Sequence, residues 1–153
     1  MGVALLLHVL SVVIWVGGMF FAYVVLRPVA ASQLEPPARL TLWAGVFGRF
    51  FPWVFASIAL ILASGFWMVL AGLGGFAAVG AYVHLMLVLG SIMMLIFLHV
   101  YFAPFRRLQQ AVAAQDWPAG GRRLAQIRVL IGVNLALGLL TVAVASGGRF
   151  LAV

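Results

Sequence analysis

Four stretches of this chain, at about residues 3–26, 51–71, 81–103 and 127–145, run on in apolar residues without one acidic side chain. Each meets the roughly 20-residue length that a helix needs to cross the hydrocarbon core of a bilayer. In lipid every backbone N–H and C=O must find a partner within the protein, so such continuous runs are read as helices. Composition agrees: 67% of the residues are hydrophobic and 7% are charged, against about 25% charged in a soluble domain. The expected fold is therefore all-α, an integral membrane four-helix transmembrane bundle forming a single domain over residues 1–153. The first stretch lacks a basic leader and exceeds a signal-peptide core in length, so it is expected to be retained. The second is expected to reach back toward Ala38 and to bend at Pro52, where one helical hydrogen bond is lost.

Charge sets the expected orientation. Nine arginines stand against Glu35 and Asp116, with no lysine, for a net charge of +7. Arg27, Arg39 and Arg49 lie in or beside the first connection; Arg106, Arg107, Arg122, Arg123 and Arg128 lie in or beside the third. The glycine-rich second connection, residues 72–80, carries no charge, and Arg149 alone follows the fourth stretch. The positive-inside rule then places the two basic connections in the cytoplasm and both termini outside (N-out/C-out), in a bacterial-type inner membrane. Nucleic acid is excluded as the partner, because the arginines flank apolar spans rather than forming a patch on a soluble surface. The partner they fit is the lipid bilayer, whose anionic headgroups attract basic helix ends. The chain has no cysteine, which removes disulfides, iron–sulfur clusters and thiolate metal sites.

Three histidines, His8, His84 and His99, fall inside the expected spans, and no carboxylate does. Proton relays built on intramembrane acids are thereby excluded. Histidine within a membrane is the usual ligand of haem iron or of a transition metal. Counted from the outer ends of their helices at 1.5 Å per residue, His8 lies about 8 Å deep and His84 about 5 Å deep. His99 lies about 22 Å below His84 and cannot share an ion with it. His8 and His84 are thus the expected ligand pair, with His99 as a second site or a hydrogen-bonding group.

Helical periodicity puts His8, Ser11, Trp15 and Gly18 on one stripe of the first helix. Comparable stripes are His84, Val88, Ser91 and Leu95 on the third, Trp53, Ser57, Ser64 and Trp67 on the second, and Asn134, Gly138 and Thr141 on the fourth. These stripes are expected to face inward, with Trp15 and Gly18 beside a flat cofactor and Arg149 near its acidic groups. Packing alone also produces such stripes, and a single membrane histidine can serve as an interhelical hydrogen-bond donor.

The segment Leu7-His-Val-Leu-Ser-Val-Val-Ile-Trp-Val-Gly-Gly-Met-Phe-Phe21 resembles the first helix of the HemJ and CopD membrane families. The resemblance continues through Arg49-Phe-Phe-Pro52, Ser64-Gly-Phe-Trp67, Tyr82-Val-His-Leu-Met86 and Leu98-His-Val-Tyr101, and so covers most of the chain. It implies roles for His8 and His84, and lesser ones for Trp15 and Arg49. HemJ proteins hold haem and are linked to protoporphyrinogen oxidation; CopD proteins are associated with moving copper across the inner membrane. HemJ-type proteins usually carry a lysine two positions after the third-helix histidine, where this chain has Met86, and that departure weighs against protoporphyrinogen oxidation.

The function expected from the sequence is a haem b-binding redox protein, bis-histidine ligated between the first and third helices and exchanging electrons with quinone or another membrane carrier. Copper is the alternative, with His84, Met86, Met94 and His99 as an incomplete ladder of imidazole and thioether ligands. A cofactor-free accessory subunit is the third reading.

Overall fold

All four stretches are helical in the structure, a computed structural model that describes the backbone of residues 1–151 and the side chains of residues 1–147. The long helices are α1 (Gly2–Gln33), α2 (Pro36–Gly72), α3 (Ala81–Ala113) and α4 (Trp117–Gly147), the last remaining helical to Leu151. Each is long and apolar enough to cross a membrane. Among the described residues there is no strand.

The helices outrun the expected spans, chiefly at their arginine-bearing ends. There the chain turns tightly. Leu34 and Glu35 alone separate α1 from α2, and α2 opens on Pro36 and Pro37, whose fixed φ suits a first helical turn and whose missing N–H is not needed there. Between α3 and α4 the carboxylate of Asp116 accepts a hydrogen bond from the Ala119 N–H at 3.0 Å, capping the fourth helix. The α2–α3 connection is the expected glycine-rich turn. Gly74 and Gly75 adopt φ of 81° and 90°, backbone that side-chain-bearing residues rarely enter.

Pro52 lies inside one continuous α-helical segment, Pro36–Trp67. Three π-helical turns occur, at Phe21–Leu26, Met68–Gly72 and Tyr101–Phe105, among the described residues. Each takes up an extra residue within a helix. The third contains Pro104, so α3 passes a proline without ending.

α1 packs mainly on α2, and α3 mainly on α4. Aromatic rings lock the two pairs together. Phe51 of α2 meets Phe105 and Phe97 of α3 edge-on, with centroids 4.8 and 5.3 Å apart, and Phe55 meets Tyr101 at 4.9 Å. Trp15 of α1 reaches Phe97 at 6.2 Å and closes the centre.

The inward stripes are observed on α1 and α4 but not throughout. Ser11, Trp15, Asn134 and Gly138 are buried. On α2 only the serines turn inward; Trp53 and Trp67 are exposed. On α3 the expected face is reversed: His84, Val88, Ser91 and Leu95 are all exposed, and Leu89, Met93, Phe97 and Val100 form the buried face. The reason is that lipid offers no hydrophobic bias between one face and the other, so shape decides. Bulky Phe97 fills the centre, and Ser91 satisfies its hydroxyl on the Leu87 carbonyl of its own helix at 2.7 Å.

Gly138 shows how tight the centre is. A β-carbon there would stand 3.0 Å from Val16 of α1 and 3.1 Å from the methyl of Met93. Gly138→Val is expected to lower stability by about 1–3 kcal/mol through overpacking, read as an earlier thermal unfolding midpoint in detergent. Gly147→Val, at a glycine with open space around it, is expected to leave the midpoint unchanged.

Candidate metal-binding residues in the bundle

His8 lies half-buried on α1 with its imidazole directed at α2. Its Nδ1 is 3.0 Å from the Ser64 hydroxyl oxygen, and Gly65 supplies the clearance, since a β-carbon there would stand 3.3 Å from Cε1 of the ring. The Ser64 hydroxyl donates its one proton to the Leu60 carbonyl. With that proton so placed, the hydroxyl accepts from His8, which puts a proton on Nδ1; the Ile61 carbonyl also hydrogen-bonds the ring. A histidine held in this way has the fixed orientation that a ligating imidazole needs.

His84 has a different neighbour, the Phe76 ring at 6.3 Å, and is exposed. Height separates it from His8 as well. Taking the Trp15–Phe97 contact as a common level, His8 stands seven residues above it on α1 and His84 thirteen above it on α3, a difference of about 9 Å. The structure thus ties His8 to α2 by a hydrogen bond, while His84 is exposed beside Phe76. His99 is exposed on α3, so the ladder of His84, Met86, Met94 and His99 lies on the outer or half-buried flank of that helix. Arg49 is exposed on α2. The Arg149 side chain lies outside the described residues.

Two sulfurs do face the bundle interior. Met93 of α3 is 3% exposed and Met19 of α1 is 4% exposed. The Met93 sulfur lies 3.9 Å from the Thr141 hydroxyl, whose proton is better placed on the Leu137 carbonyl at 2.8 Å, so the thioether keeps its lone pairs. On the same scale of heights Met93 is about 4.5 Å below His8, and Met19 a further 12 Å or about that below Met93. Sequence reasoning passed over both methionines, because thioethers are common in apolar helices. The available signal was position: Met19 follows Trp15 by four residues, on the stripe already assigned inward.

Below this level Trp15, Gly18, Met19, Phe51, Phe97 and Asn134 border a cavity of about 230 Å³. Trp15 and Gly18 are thus where the sequence put them, on the inner face of α1. Asn134 is buried, and its side-chain oxygen has no hydrogen-bond partner. A buried acceptor left unmade costs about 1–3 kcal/mol. Asn134→Leu, similar in volume and free of that cost, is expected to raise the thermal midpoint in detergent; a fall would show that the amide has a partner in the working protein.

Comparison with known proteins gives one result. Residues 44–147 match the model of a family described as Copper resistance protein D, or CopD. No curated protein and no solved structure matches the chain. The match takes in α3, α4 and most of α2, with Ser64, Met93 and Asn134, and begins after His8 and Met19. Four helices able to span a membrane and a family match over more than half of the sequence lead to one conclusion: the protein belongs to the CopD family.

Proposed function

We propose that the protein handles copper(I) within the membrane, with His8 as the ligand nearest the glycine-turn end and the Met93 and Met19 thioethers as soft donors deeper in the bundle. The observation that carries this reading is the His8–Ser64 hydrogen bond, which fixes the imidazole with Nδ1 toward α2. Copper(I) is matched by the donor set, since thioether and imidazole ligands suit a soft cation while carboxylates are absent from the interior. Copper is here the cargo. What this chain contributes is an oriented imidazole, two buried thioether sulfurs and apolar walls that keep water from competing. The arginine-bearing helix ends are assigned to the cytoplasmic side, which puts His8 toward the outer leaflet.

The test is competition for copper(I) against a chromogenic chelator, under reducing conditions, with the purified full-length protein. His8→Ala is expected to abolish the tightest binding. Ser64→Ala, which leaves the ligand but frees its orientation, is expected to weaken binding about 10–100-fold, the range for loss of a partner to a ligating histidine. Met93→Leu is expected to weaken binding while leaving folding intact; His84→Ala is expected to change nothing. A reduced-minus-oxidised visible spectrum, taken on protein expressed with ample haem, discriminates the redox reading. Sharp α and Soret bands that vanish in His8→Ala would replace copper with haem as the group that His8 holds.

A further inference from the structure

A second and larger cavity, of about 520 Å³, opens at the arginine-bearing end of the bundle. Arg27 of α1, Arg39 of α2 and Arg128 of α4 all line it, so three helices each deliver one guanidinium to the same space. Arg27 and Arg39 are half-buried. Arg27 lies over the Tyr23 ring, 4.8 Å from its centroid, a cation–π contact that holds the guanidinium at the wall.

The chain has only two carboxylates to offset this charge. Asp116 is engaged as the cap of α4, and Glu35 sits exposed at the head of α2, one turn before Arg39. Even with Glu35 nearby, the pocket keeps a surplus of positive charge. Three guanidiniums facing one space repel one another, and an anion placed among them removes that repulsion while accepting forked hydrogen bonds.

Shape narrows the anion. The basic cavity and the apolar cavity beside Asn134 share Ala22, Phe47 and Ile131 in their walls. The charged mouth thus ends on apolar side chains that also wall the inner cavity. Inorganic phosphate would use the arginines alone; an anion with a hydrocarbon continuation would also use those apolar side chains. Basic pockets between transmembrane helices are recognised sites for anionic lipid headgroups.

We propose that this is a binding site for an anionic phospholipid, its phosphate held among Arg27, Arg39 and Arg128 and one acyl chain laid along Ala22, Phe47 and Ile131. The proposal does not rest on the copper reading, although Met19 lines the apolar cavity next to the basic one.

The experiment uses full-length protein in a mild detergent and reads retained lipid by native mass spectrometry, with phosphatidylglycerol or phosphatidylcholine added in parallel. One phosphatidylglycerol is expected to stay bound through a wash that removes phosphatidylcholine. Arg128→Gln, at an exposed position whose loss leaves the helix packing intact, is expected to reduce retention about fivefold, the equivalent of roughly 1 kcal/mol per basic residue. Arg27→Gln with Arg39→Gln is expected to remove it, in protein that remains monodisperse by size exclusion. Arg122→Gln, exposed and outside the cavity, is expected to have no effect. A parallel thermal-shift series separates the two sources of phosphate: phosphatidylglycerol is expected to raise the midpoint and inorganic phosphate at equal concentration to leave it unchanged. Equal protection by inorganic phosphate would overturn the lipid in favour of a small phosphorylated solute. Equal retention of the two lipids, or equal loss in Arg122→Gln, would reduce the pocket to part of a general basic belt.

Discussion

The contact of Phe97 with Phe51 and Trp15 is the interaction on which the rest of the bundle depends. α1 with α2, and α3 with α4, already form antiparallel pairs through short connections. Joining one pair to the other is a separate problem, because a lipid environment gives apolar faces no reason to seek each other. What remains is shape and ring electrostatics. Edge-to-face aromatic pairs contribute about 0.5–1.5 kcal/mol each beyond contact area. The Phe47, Phe51, Phe55, Phe97, Tyr101 and Phe105 rings supply a whole set of them between α2 and α3.

That dependence explains what could and could not be read from the sequence. Spans, helix number and the glycine-rich turn follow from hydropathy and from backbone rules that act locally. The inward faces of α1 and α4 were legible too, since Trp15 and Gly18, or Asn134 and Gly138, combine a group that gains from burial with a small residue that admits a neighbour. α3 misled because its polar residues, His84 and Ser91, mark its outer face. Ser91 closes on its own helix and His84 sits near the helix start, so neither needs the interior. The interior face of α3 is instead the one that presents Phe97, and nothing in a single sequence says which of several apolar faces will meet a ring on another helix.

The same constraint reorganises the chemistry. His8 looked like half of a pair across to the third helix at matched depth, whereas it is anchored to the second. The Trp15–Phe97 contact sets the vertical register of α1 against α3, and in that register His84 stands about 9 Å higher than His8. Ser64 was visible as part of an inward stripe on α2, but its role required knowing that its single proton already serves the Leu60 carbonyl. A tautomer is a property of a network, and one member of that network lies 56 residues away in sequence.

For copper, the register has a mechanical consequence. Met93 lies above the Trp15–Phe97 level and Met19 below it, so the aromatic layer separates the two buried sulfurs. The space between that layer and the basic end is bordered by Met19 and by an orphaned amide, Asn134. On the proposed reading, an ion held at His8 would meet the Trp15–Phe97 contact before it reached Met19. Movement past it would require Trp15 or Phe97 to leave its place, and those are the rings that hold the two helix pairs together. On the copper reading, binding on the His8 side and passage toward Met19 would therefore be distinct events, the second coupled to loosening of the bundle's own core.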